Sequence, residues 1–140
     1  MEKINYIEIP EKLFKKLVDH AIKSSPYESV SIISGRINKN IAIAEKVYTP
    51  ENIDKSTVSF TVEPIELLKI YTDIEKEKRI IIGIYHTHPA PPSPSGTDKN
   101  YMEVNPYVWL ISSTSSPEKP KGYFLTKNDI IKEIAVKIIK

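Results

Sequence analysis

No cysteine occurs in these 140 residues, which removes disulfides, thiolate metal sites and cysteine nucleophiles together. Long apolar runs are missing as well. No stretch approaches the roughly 20 residues of a membrane span, and the start Met1–Tyr6 is too polar for a signal peptide. Nor is there a block of Lys or Arg interleaved with aromatics. Lys and Arg number 20 against 18 Asp and Glu, a formal net charge of +2, so neither nucleic acid nor a membrane is implied as a partner. A cytoplasmic location is the expectation. Histidine is scarce, with three in the whole chain, and that scarcity gives weight to where they stand.

Length and composition describe one globular domain over residues 1–140, large enough for a single core and too short for two. Residues 4–9 alternate as a short strand, and Pro10 suits the first turn of a helix. Leu13, Phe14, Leu17, Val18, Ala21 and Ile22 make the apolar stripe of that helix, which should end near Ser24–Ser25. Ser29–Ile37 and Ile41–Tyr48 read as two strands of a hairpin turning at 38–40. Val58–Val62 is a further strand candidate. Pro64 then opens a second helix with Ile65, Leu68, Tyr71 and Ile74, leaving through the solvated residues Glu75–Arg79. The run 79–86 is apolar and β-branched, as a buried strand should be. After a proline-rich loop, a short helix begins near Ser95, strands follow at 107–112 and 122–126, and the tail 130–139 reads better as strand than helix. This order predicts a mixed β-sheet flanked by helices.

Two of the three histidines, His86 and His88, stand at the end of that buried strand. Strand side chains repeat their facing every two residues, so both imidazoles point to one side and make half a metal site. Asp98, in Ser95-Gly-Thr-Asp98, is the natural third ligand. Zinc in hydrolytic sites takes three protein ligands and keeps a fourth position open. Taken singly, each piece has a plainer meaning. His-x-His also occurs in cores and on solvent-facing strands, and Ser-x-x-Asp resembles a helix capping box. The capping and ligand roles can coexist, because a carboxylate has two oxygens. A hydrolytic site also needs a base. Glu28 opens the apolar strand that follows helix 1. A carboxylate there is either exposed and idle or aimed at something, and residue physics alone leaves both open.

These segments resemble the JAMM, or MPN-domain, metalloproteases, whose pattern is a distant Glu, then His-Ser/Thr-His-Pro, then Ser-x-x-Asp. Pro26-Tyr-Glu28 through Gly35 is similar to the family's Glu-bearing strand, and Asn52 with 58–68 to its middle segment. His86-Thr-His-Pro89 and Ser95-Gly-Thr-Asp98 are similar to its metal-binding core. The resemblance spans nearly the full length. It implies a cytidine-deaminase-like α/β/α sandwich and one zinc ion per chain on His86, His88 and Asp98. Glu28 would be the general acid/base and Ser95 the oxyanion donor. The implied activity is that of an isopeptidase, cutting after the C-terminal Gly-Gly of a ubiquitin-like or sulfur-carrier protein. A homodimer is left open. There are departures from the pattern. The loop 89–94 is one residue shorter than family members usually have, with prolines at 89, 91, 92 and 94 to fix its course, and Ser31 stands where a Gly is common.

Two rivals stay in view: a non-catalytic scaffold of the same fold, and a zinc hydrolase of small molecules. Scaffold members typically lack some of the five motif residues, and all five are present here. Deamination on a similar fold uses Cys ligands and His-x-Glu, both missing. With no Cys and only His20 outside the motif, nothing supplies a second, structural zinc. His20 itself reads as structural, Tyr85 as packed away from the histidines, and Trp109 as core or site wall. Ser112–Ser116 reads as a polar loop and candidate groove rim.

Overall fold

The structure, a computed structural model, describes residues 3–140. Strand β1 (Tyr6–Pro10) leads into helix α1 (Glu11–Ser24), and strands β2 (Val30–Asn38) and β3 (Ile41–Tyr48) form a hairpin. Helix α2 (Pro64–Lys76) precedes strand β4 (Ile80–His88), and helix α3 (Gly96–Val104) precedes β5 (Val108–Ser113), β6 (Lys121–Leu125) and β7 (Ile131–Ile139). Pro10 ends β1 and caps α1, so the helix starts one residue later than the proline suggests. α1 stops at Ser25, before Pro26, where the ring disfavours helical backbone in the preceding residue. The β2–β3 turn places Lys39 and Asn40 at φ 51° and 65°, the paired positive φ of a turn that matches strand twist.

The sheet runs β1-β3-β2-β4-β5-β6-β7 and closes, because β1 pairs in parallel with both β3 and β7. β2–β4 is antiparallel and β4–β5 parallel, so the sheet is mixed. β2 comes so close to β3 at Gly35 that an added Cβ would stand 1.9 Å from the Ile43 carbonyl oxygen, where no side chain fits. Helix α1 buries Leu17 and Ala21 on one face of the sheet, against Ile7, Ile9, Ile33 and Leu110. α2 and α3 cover the other, with Ile70, Ile74 and Met102 against Val30, Ile32, Trp109 and Ile111. The expected mixed sheet between helices is what forms, and its closure is an additional finding. No described helix is long and apolar enough to cross a membrane.

One expected strand is absent. Residues 58–62 are irregular. Their backbone is bonded to Asn52 instead of a ladder: the Thr61 N–H donates to Asn52 Oδ1 at 3.0 Å, and Asn52 Nδ2 donates to the Ser59 carbonyl at 3.0 Å. Ser113, expected in a loop, completes β5, and Ser112, read both as strand end and as loop start, is fully buried.

Candidate metal centre

Strand β4 carries the two histidines to its end, both on the face covered by α2 and α3. Their ring centroids are 5.4 Å apart, and the Trp109 ring lies nearly perpendicular to that of His86 with 6.3 Å between centroids, making Trp109 both core and site wall. Tyr85, one residue before His86 and so alternating away from it, is buried on the opposite face and donates to the Pro117 carbonyl at 2.7 Å. Ser29, the residue just before β2, holds His86 in place. The His86 Nδ1–H donates to the Ser29 carbonyl at 3.2 Å, which leaves Nε2 with a free lone pair facing the site. Ser29 also grips Thr87, receiving its backbone N–H at 3.2 Å and meeting its hydroxyl at 2.8 Å. The strand that follows Glu28 is thereby tied to the strand bearing the histidines.

Asp98 arrives from the first turn of α3. Ser95 caps that helix: its Oγ accepts the Asp98 N–H at 3.0 Å, and Asp98 Oδ2 accepts the Ser95 N–H at 2.9 Å. The same carboxylate places Oδ1 3.1 Å from His86 Nε2 and Oδ2 3.2 Å from His88 Nε2. One ligand atom from each of the three residues can be chosen so that all lie within 4.8 Å of one another, and all three residues are buried. Burial works to raise the Asp98 carboxyl, but both imidazoles and the Ser95 N–H outweigh it and hold the group well below the usual carboxylate range. The loop that delivers it is braced by Tyr123, whose hydroxyl donates to the Pro92 carbonyl at 2.8 Å. The shorter spacing thus still brings Asp98 to the histidines.

Whether these residues suit a metal can be tested on His88. Both its ring nitrogens are buried without a hydrogen-bond partner, since Nε2 meets Asp98 at ion-pair distance without hydrogen-bond alignment. Orphaned buried nitrogens are costly, and a cation between three such donors would remove the cost at Nε2. Two neutral imidazoles and a carboxylate are a donor set that zinc accepts.

Glu28 lies just before β2, 4% exposed, with Oε1 3.5 Å from His86 Nε2. Burial raises its carboxyl above the ordinary value, against the pull of His86 and His88. Glu28, His88, Ser95 and Asp98 line one cavity of about 380 Å³, walled by Val58 and Tyr101. All five residues singled out in the sequence therefore meet. Sequence reading gave no site role to Asn52, named there only as part of a similar segment, nor to Ser29 or Phe60, whose ring sits 5.0 Å from that of His86. Of these only Asn52 had a signal, as a turn-forming side chain in a polar connection.

The closed mixed sheet offers two histidines from one strand end and an aspartate from the next capped helix, and fold and sequence together place the chain in the JAB/MPN class of domains. The chain belongs to the prokaryotic homologs of the JAB domain, whose family model matches residues 10–126. It is similar to the desampylase of Pyrococcus furiosus, 30% identical over 129 residues that cover 91% of this chain and 87% of the relative. A probable TtuB-protein conjugate cleaving protease of Thermus thermophilus is 30% identical over 104 residues, 71% of this chain and 66% of that protein. Among solved structures, a protein from Desulfitobacterium hafniense matches with TM-score 0.77 and 30% identity, covering 95% and 94% of the two chains. A JAB1/MPN domain protein from Archaeoglobus fulgidus shares the fold, with TM-score 0.61 at 18% identity over 95% and 99%.

Proposed function

We propose that this chain, acting as a single domain, is a zinc-dependent isopeptidase. Its substrates would be conjugates of a ubiquitin-like or sulfur-carrier protein, cut after the carrier's C-terminal Gly-Gly. The observation that carries the reading is the position of Glu28: a buried carboxylate 3.5 Å from His86 Nε2, sharing a cavity with the three-ligand cluster yet outside it. The names of the two relatives, a desampylase and a conjugate cleaving protease, support the substrate class.

His86, His88 and Asp98 would hold the zinc ion. When bound there, it would supply Lewis acidity to the scissile carbonyl and to a water. Glu28 takes the proton from the attacking water, a task suited to a carboxylate whose affinity for protons is raised by burial. It then returns that proton to the lysine amine as the C–N bond breaks. The Ser95 Oγ already accepts the Asp98 N–H, so its own O–H is free to donate to the carbonyl oxygen as charge builds there.

The test is turnover by zinc-loaded protein of a Gly-Gly-terminated ubiquitin-like protein joined to a lysine side chain. Release of the free carrier is expected. No cleavage of such conjugates, with zinc bound, would turn the reading toward a scaffold of the same fold.

A further inference from the structure

Glu28 stands outside the β-ladder, and its backbone is held by the segment 52–61 rather than by a neighbouring strand. Its N–H donates to the Ser56 carbonyl at 2.7 Å, and its carbonyl accepts from Asn52 Nδ2 at 3.0 Å. Asn52 is 5% exposed, and its amide is fully used. Nδ2 donates to Glu28 and to the Ser59 carbonyl, while Oδ1 accepts the N–H groups of Asp54, at 3.1 Å, and Thr61. One side chain thus fastens two things that substrate would meet together. The first is the backbone under the proposed base. The second is the 54–61 segment, which brings Thr57 and Val58 to the wall of the cavity and Phe60 to the ring of His86.

We infer that Asn52 is a positioning residue for the reaction proposed above: it sets where the Glu28 carboxylate stands relative to His86 and to the cavity wall. The inference rests on Glu28 being the base. Its energetic logic is geometric. A displacement of about 1 Å at a reacting group can cost roughly 10²-fold in rate, and Glu28 has no ladder partner to limit such a displacement. A single amide with four partners is stiff where a run of weaker contacts would not be.

The two halves of the amide can be separated. Asn52→Asp keeps an acceptor for Asp54 and Thr61 but loses the donor that holds Glu28. Asn52→Ala loses both. The first measurement is amide hydrogen exchange. In both variants the Glu28 N–H should exchange at least about tenfold faster, while β5 and β6 stay protected. Unchanged protection at Glu28 would overturn the inference, whatever the activity. The second measurement is kcat and KM on the lysine-linked carrier conjugate, in wild-type and Glu28→Gln backgrounds. Asn52→Asp should lower kcat about tenfold or more with Glu28 present and leave the residual rate of Glu28→Gln unchanged. An equal loss in both backgrounds would reduce Asn52 to general support of the fold and overturn the inference. Full activity of Asn52→Asp beside a dead Glu28→Gln would overturn it while leaving the base assignment standing. Full activity of Glu28→Gln would instead remove the base assignment and the inference with it.

Discussion

Ser95 and Asp98 hold each other across the first turn of α3, each accepting the other's backbone N–H. The Asp98 oxygen that closes this box, Oδ2, is also the one 3.2 Å from His88. Helix cap and proposed metal ligand are therefore one carboxylate, held at a helix N-terminus where the backbone dipoles favour negative charge. The orientation of Asp98 toward the histidines is set before any ion arrives.

Replacing Asp98 by Asn should separate the two roles. The amide oxygen can still accept the Ser95 N–H, so α3 and the fold should persist, but the charged donor is gone. Elemental analysis should find about one zinc per wild-type chain and far less in the variant. Stripping zinc from wild type with a chelator should lower its melting temperature, and zinc at about 100 times Kd should restore roughly 2.7 kcal/mol. Asp98→Asn should show little of that response, and full zinc content in it would rule out this ligand set.

Ser95→Ala removes the cap and the proposed oxyanion donor together, and the two losses read out differently. Denaturant unfolding of metal-free protein should show a loss of about 0.5–2 kcal/mol. Zinc-loaded turnover should fall by up to about 10²–10³-fold. A stability loss with unchanged kcat would leave Ser95 as a cap alone.

Glu28→Gln keeps the shape of the side chain and cannot take a proton. It should bind zinc as wild type does and lose roughly 10²–10⁴-fold in turnover. The relevant pair of measurements is metal content and single-turnover rate on the same preparation. Equal rates in the two proteins would take Glu28 out of the mechanism.

His20 offers a pH prediction away from the metal centre. Burial lowers its pKa below the ordinary value, with Lys23 adding to the drop, while the Pro50 carbonyl and Glu66 pull the other way. In its neutral form Nε2–H donates to that carbonyl at 2.9 Å. The unfolded imidazole takes its proton near pH 6.5, before the folded one does. The stability His20 contributes is therefore present above about pH 6.5 and lost as pH falls through its folded pKa. His20→Gln retains a donor and does not titrate. Between about pH 7.5 and pH 5 it should lose less stability than wild type in paired denaturant titrations of metal-free protein.

The candidate site was legible because its logic is local. A spacing of two on a strand puts His86 and His88 on one face, and a spacing of three at a helix start lets Ser95 and Asp98 meet. Helices α1 and α2 were legible from their stripes, and the β2–β3 hairpin from its turn. The misread segment was 58–62, where Val58, Phe60 and Val62 alternate as a strand would. What decided its structure was a side chain six or more residues upstream, Asn52, taking over its backbone groups. No periodicity reports such a competition. Closure of the sheet was likewise hidden, because the pairing of Tyr6 with Ala135 joins residues too far apart for any local pattern to announce.

That pairing bears on how the molecule is made. The seam between residues 6–10 and 135–139 joins two strands separated by about 125 residues of chain, the second of which is made long after the first. Contacts between such distant positions form late, since the intervening chain must first be ordered. The strands that carry the site, β2, β4 and β5, pair with one another inside the sheet and do not wait for the seam. Until β7 emerges, however, β1 and β6 each present a bare row of backbone donors and acceptors, the kind of surface on which chains add to one another. The nine residues of β7 therefore decide whether a nascent chain with its site strands already paired goes on to a closed sheet or to an aggregate.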